Sequence, residues 1–96
     1  MKTGQEIRED INWMGRIDEL FNVGDYQFVK YFNRDVKTSK ITDEVMYTSY
    51  YKGQRQSRSY YTLEACMAGS MAIVHDGLNS QAGTMFVRML KLEKDG

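Results

Sequence analysis

The sequence predicts a small α+β domain: a small antiparallel sheet, formed by a hairpin and a C-terminal strand, packed against an N-terminal amphipathic helix and a buried second helix. Three observations predict it. A helix-start signature at Thr3 precedes apolar residues at helical spacing. Two runs rich in β-branched and aromatic residues, 44–51 and 57–61, flank a short turn, and residues 63–75 carry few polar side chains ahead of a final alternating stretch. Ninety-six residues suit one domain, 1–96, because a single core keeps growing well beyond this length.

Thr3-Gly4-Gln5-Glu6 fits a capping box, in which the Thr hydroxyl and the Glu carboxylate each satisfy a backbone N–H left unpaired at a helix start. Ile7, Ile11, Met14, Ile17, Leu20 and Phe21 then follow along one stripe at 3.6 residues per turn, with Trp13 at its border and Gly24 as the stop. The expectation is one helix from Thr3 to Gly24. Residues 25–36 read two ways: Phe28, Phe32 and Val36 repeat every four residues behind Asp25, a possible cap, while Tyr26, Phe28 and Lys30 begin an alternation. Lys37-Thr38-Ser39-Lys40 is a polar connection.

Within Lys52-Gly53-Gln54-Arg55, Gly53 suits a type II′ turn with Lys52 facing Arg55. That register sets Met46 opposite Tyr61, Tyr47 opposite Tyr60, Ser49 opposite Arg58 and Tyr50 opposite Ser57. Met46, Thr48 and Tyr50 then share one face; Tyr47, Ser49 and Tyr51 share the other. Neither face is purely apolar, so alternation does not say which one packs inward. Thr62 caps the second helix, Glu64 lies in its first turn, and Asp76-Gly77 ends it. Residues 79–83 read as a loop, 84–92 as a strand and the last four as a fraying tail.

Composition excludes several classes of function. Thirteen basic and thirteen acidic residues sum to zero, so no global field draws the chain to nucleic acid or to an anionic membrane. One Cys and one His make neither an internal disulfide nor an all-Cys/His zinc site, and no cofactor or metal is expected. The first residues lead straight into charged ones, so no secretory signal is expected. The longest apolar-rich stretch, 65–74, is too short to span a bilayer, and the expected location is cytoplasmic.

Catalytic sets are thin. His75 precedes Asp76, but neighbouring helical residues point about 100° apart, a poor geometry for a base and its orienting carboxylate. Cys66 sits on the apolar helix without an adjacent cation to lower its pKa. Ala68-Gly69-Ser70 lacks the full nucleophile elbow, and Glu9-Asp10 and Asp18-Glu19 read as solvated surface. The expectation is a non-enzyme.

Charge and aromatic distribution point elsewhere. Residues 1–25 carry −3, residues 26–61 carry +4 and residues 62–96 carry −1, and all seven tyrosines fall in the basic middle segment. Tyr and Arg concentrate binding energy at protein interfaces because each combines a large, stiff surface with a polar tip. The leading expectation is therefore a protein-binding module, an inhibitor or adaptor acting by steric occlusion, with Tyr47, Tyr51, Lys52, Arg55, Arg58 and Tyr60 as partner-binding residues. The alternative is a nucleic-acid-binding domain using the same basic, tyrosine-rich hairpin. A homo-oligomer pairing through strand 84–92 is a third expectation. As a type, in size and in its thin catalytic sets, the chain is similar to small single-domain proteins of phages and mobile elements, which often block a host enzyme or defence complex.

Overall fold

A computed structural model describes residues 1–76. The expected loop 79–83, strand 84–92 and tail lie outside the described residues. The fold is a small α+β arrangement with three layers. Helix α1 (Gly4–Asp10) leads into strands β1 (Gly15–Val23), β2 (Tyr26–Arg34), β3 (Ile41–Tyr51) and β4 (Gln54–Arg55), and helix α2 (Leu63–Asp76) follows. The sheet is an antiparallel meander in the order β1-β2-β3-β4.

Helix α1 is seven residues long, too short to persist alone in water. The capping box expected at Thr3 is complete: Glu6 N donates to Thr3 Oγ1, and Thr3 N donates to Glu6 Oε1 at 2.9 Å. Those bonds hold the Glu6 carboxyl below its ordinary pKa. Tertiary packing does the rest, since Ile7 and Ile11 are fully buried against Val29, Tyr31 and Tyr50. Each such isoleucine contributes on the order of 2 kcal/mol on transfer from water.

The helix expected over residues 4–24 stops at Asp10, and residues 15–23 are a strand. The reason lies in a β-bulge. Pairing of β1 with β2 slips between Ile17 and Glu19, so Ile17 lies opposite Tyr31 and Leu20 opposite Val29. The extra residue puts Ile17 and Leu20, three apart, on the same face of a strand, a spacing that otherwise signals a helix. Gly15 marks the entry to β1. A β-carbon there would collide with the Phe32 carbonyl oxygen and lie 2.6 Å from Tyr31 Cδ2, so only glycine lets the chain come this close to β2.

Residues 26–34 take the strand reading. They show no clean alternation because both faces of β2 are covered, and Tyr26, Gln27, Phe28 and Val29 are buried in succession. On one face, α1 packs with Ile17, Leu20, Val29, Tyr31, Met46 and Tyr50. On the other, Phe21, Tyr26, Phe28, Tyr47, Tyr51 and Tyr60 meet Leu63, Cys66, Met67, Met71 and Val74 of α2. Both sides of the central hairpin thus face inward. Buried Gln27 works as a clamp: its Oε1 accepts from Lys2 N at 3.0 Å, and its Nε2 donates to the Lys2 carbonyl at 2.7 Å and to Asn22 Oδ1 at 3.2 Å.

The β3–β4 turn also differs from expectation. Lys52 (φ 50°) and Gly53 (φ 82°) both lie in the left-handed region, the pattern of a type I′ turn, so Tyr51 pairs with Gln54 and Tyr50 with Arg55. The pairing begins one residue earlier than the type II′ register. The chain then leaves the sheet, with Gln56 N donating to the Ser49 carbonyl, and returns at Tyr60 to bridge Tyr47. The expected Tyr47–Tyr60 pairing therefore occurs, whereas the strand expected over 57–61 shrinks to that single bridge. Thr62 caps α2 as expected, accepting from Ala65 N at 3.1 Å.

Replacing Gly15 by alanine separates the strand from a helix. In a helix the change would add about 1 kcal/mol of stability. Against β2 the added carbon is expected to cost about 1–3 kcal/mol, read as a fall in the midpoint of thermal or urea unfolding.

Candidate functional site

Trp13, expected at the border of a helical stripe, and Arg55, expected to bind a partner, form the best-defined exposed feature of the described residues. After α1, Met14 N and Gly15 N both donate to the Ile11 carbonyl, folding residues 11–14 into a tight turn with Trp13 on its outside. Trp13 is 67% exposed. The turn is held by Arg34, whose Nε donates to the Asn12 carbonyl at 3.0 Å and whose Nη1 donates to the Ser39 carbonyl at 2.6 Å. Arg34 N also donates to the Met14 carbonyl at 2.9 Å. An exposed indole is therefore carried on a braced turn.

Arg55, half-buried in β4, places its guanidinium carbon 5.6 Å from the Trp13 ring centroid. Such a cation–π contact is worth about 0.5–1 kcal/mol at an exposed site. Arg55 reaches this face because it pairs with Tyr50, whose side chain points toward α1. The Tyr50 hydroxyl donates to Asp10 Oδ2, and burial together with that carboxylate raises its pKa. The 56–59 excursion runs over the same face. Its Arg58 carbonyl accepts from Thr48 Oγ1 at 3.2 Å, and Ser59 Oγ lies 2.8 Å from the Tyr31 hydroxyl. Arg58 itself is exposed.

The six residues expected to bind a partner divide among three places. Tyr47, Tyr51 and Tyr60 are half-buried in the cluster beneath α2. The Tyr51 ring lies 4.9 Å from that of Tyr26, and Tyr60 occupies the space above Gly69, where a β-carbon would lie 2.7 Å from its Cζ. Lys52 is exposed at the turn, its Nζ 5.4 Å from the Tyr51 ring centroid. Arg55 stands on the opposite face from these tyrosines, with Arg58 on the neighbouring excursion. The structure brings Arg55 together with Trp13, which sequence reasoning left at the border of a helical stripe. The turn that displays Trp13 carries neither Gly nor Pro before Gly15, and its one turn-favouring residue, Asn12, sits inside an apolar stripe at helical spacing that masks it.

The nucleophile candidates lie in the core. Cys66 is fully buried, and burial pushes its thiol up to about 11. Ser70 Oγ lies 4.0 Å from its sulfur and 2.5 Å from Ser49 Oγ, closing a small buried polar cluster. Among the described acidic residues, Glu9 accepts from Gln5, and Asp18 pairs with Lys30 at 3.2 Å, raising the Lys30 pKa. Among the described residues there is no grouping of three metal-ligating side chains, and no helix is long and apolar enough to cross a membrane.

The folded state holds Cys66 protonated above the pH at which the unfolded chain ionises, so the contribution is intact below about pH 8.5 and is lost as pH rises toward 11. Tyr26, Tyr31, Tyr50 and Tyr60, all raised mainly by burial, act in the same direction at higher pH. Unfolding midpoints are expected to fall between about pH 9 and 11. At pH 8, Cys66 is expected to resist a thiol reagent until the chain is unfolded by urea; rapid labelling of the native protein would contradict the buried placement. No protein-family model, no curated protein and no solved structure matches this chain.

Proposed function

We propose that the chain is a non-enzymatic protein-binding module, a small cytoplasmic inhibitor or adaptor that acts by covering a surface of its partner. The observation that supports this most is Trp13, displayed on a braced turn with Arg55 against its ring. Tryptophan and arginine head the residues that dominate binding energy at interfaces, and a side chain already held in place loses little entropy on docking. Arg58 and Lys52 add positive charge from the adjoining excursion and turn, which suits an acidic rim on the partner and speeds encounter more than it tightens the complex. In this reading, Tyr47, Tyr51 and Tyr60 serve the site indirectly, by seating α2 and with it the path of residues 56–60.

Affinity capture from the source cell, with bound proteins identified by mass, tests the reading. Trp13→Ala and Arg55→Ala are each expected to cost about 2 kcal/mol of binding, roughly thirtyfold in Kd, while unfolding midpoints stay near that of the unaltered chain. Retention of the same proteins by the double variant would contradict the reading. Titration with single-stranded and duplex DNA at two salt concentrations covers the nucleic-acid alternative: tight binding that collapses with salt would replace the protein partner.

A further inference from the structure

Both edges of the sheet that no described strand covers are distorted at a pair of adjacent acidic residues. On β1, the slip in pairing between Ile17 and Glu19 carries Asp18 and Glu19, both exposed. On β3, Val45 pairs with Phe32 and Ile41 with Arg34, so Thr42, Asp43 and Glu44 lie opposite Asn33 alone. That second distortion is held by its own hydrogen bonds. Thr42 Oγ1 donates to the Asn33 carbonyl at 2.8 Å, Asn33 Nδ2 donates to Glu44 Oε1 at 3.1 Å, and Glu44 N donates to Thr42 Oγ1 at 3.2 Å. Asp43 and Glu44 are both exposed. Among the described residues, no strand pairs with the outer side of β1. Strand β4 covers only Tyr50 and Tyr51 of β3, and beyond the Tyr47–Tyr60 bridge nothing described covers residues 41–46.

We propose that these two acidic bulges prevent the sheet from extending into a second copy of the chain. An unpaired, flat edge is a template for another strand, and a bulge twists it out of the plane that a partner strand needs. Charge adds to shape. If two β3 edges met about a two-fold axis passing between residues 43 and 44, Asp43 of one copy would face Glu44 of the other, and like charges directly opposite each other disfavour pairing. Zero net charge gives the molecule as a whole no general repulsion between copies, so the protection has to be local.

Sedimentation over a range of concentrations tests this on the full chain. The unaltered protein is expected to sediment as a monomer. Asp43→Asn/Glu44→Gln keeps the side-chain shapes and the Asn33 hydrogen bond but removes the charge, and is expected to strengthen self-association by at least about tenfold. Asp43→Lys/Glu44→Lys restores like charge with the opposite sign and is expected to return the monomer. Glu19→Gln examines the β1 edge while leaving the Asp18–Lys30 ion pair in place, and guards against one neutral variant failing to fold. Neutral variants at both edges that stay as monomeric as the unaltered chain overturn the proposal, as does an unaltered chain that already associates.

Discussion

The burial of β2 on both faces is the constraint on which the remaining structure depends. A strand with only one covered face needs one apolar row, whereas Tyr26, Phe28, Val29 and Tyr31 supply two, and each row demands a layer of its own. Short α1 covers one side and longer α2 the other. Neither helix is independently stable in any strong sense; α1 in particular exists because Ile7 and Ile11 fill the space over Val29 and Tyr50. The sheet therefore organises the helices, although the helices carry the clearer start signals.

Polar groups taken into this double-sided core are all satisfied: among the described residues, no buried side-chain nitrogen or oxygen lacks a partner. Gln27 holds the N-terminal segment, Ser49 and Ser70 join β3 to α2, and Tyr50 reaches Asp10 at the end of α1. These bonds connect layers rather than neighbours in sequence. They also explain the placement of the exposed Trp13–Arg55 pair. Tyr50 and Asp10 fix the end of α1, Arg34 braces the turn that follows, and the indole is left exposed beside Arg55.

Much of this was legible in the chain, and the failures have identifiable physical causes. Side-chain caps are local, so Thr3 and Thr62 marked both helix starts correctly. The β-branched and aromatic run at 44–51 marked most of β3, and the division of its side chains between two faces held. The helix expected beyond Asp10 failed because a bulge at Asp18 and Glu19 reproduces helical spacing within a strand. Strand β2 stayed ambiguous because burial on both faces erases alternation. The turn at Lys52 was displaced by a non-glycine residue in the left-handed region, which sequence preference disfavours. At the candidate site, aromatic and basic composition drew attention to residues 26–61 but could not reveal that three of the tyrosines pack beneath α2 while Arg55 reaches Trp13, outside that segment.

Amide hydrogen exchange combined with backbone chemical shifts tests the central claim most directly. If β2 is the doubly covered strand, the amides of Phe28, Val29 and Tyr31 exchange only through global unfolding, and residues 15–23 show strand shifts with cross-strand contacts from Phe21 to Phe28. Helical shifts over 15–23, or exchange from β2 as fast as from the ends of the sheet, would contradict the two-sided core and everything built on it.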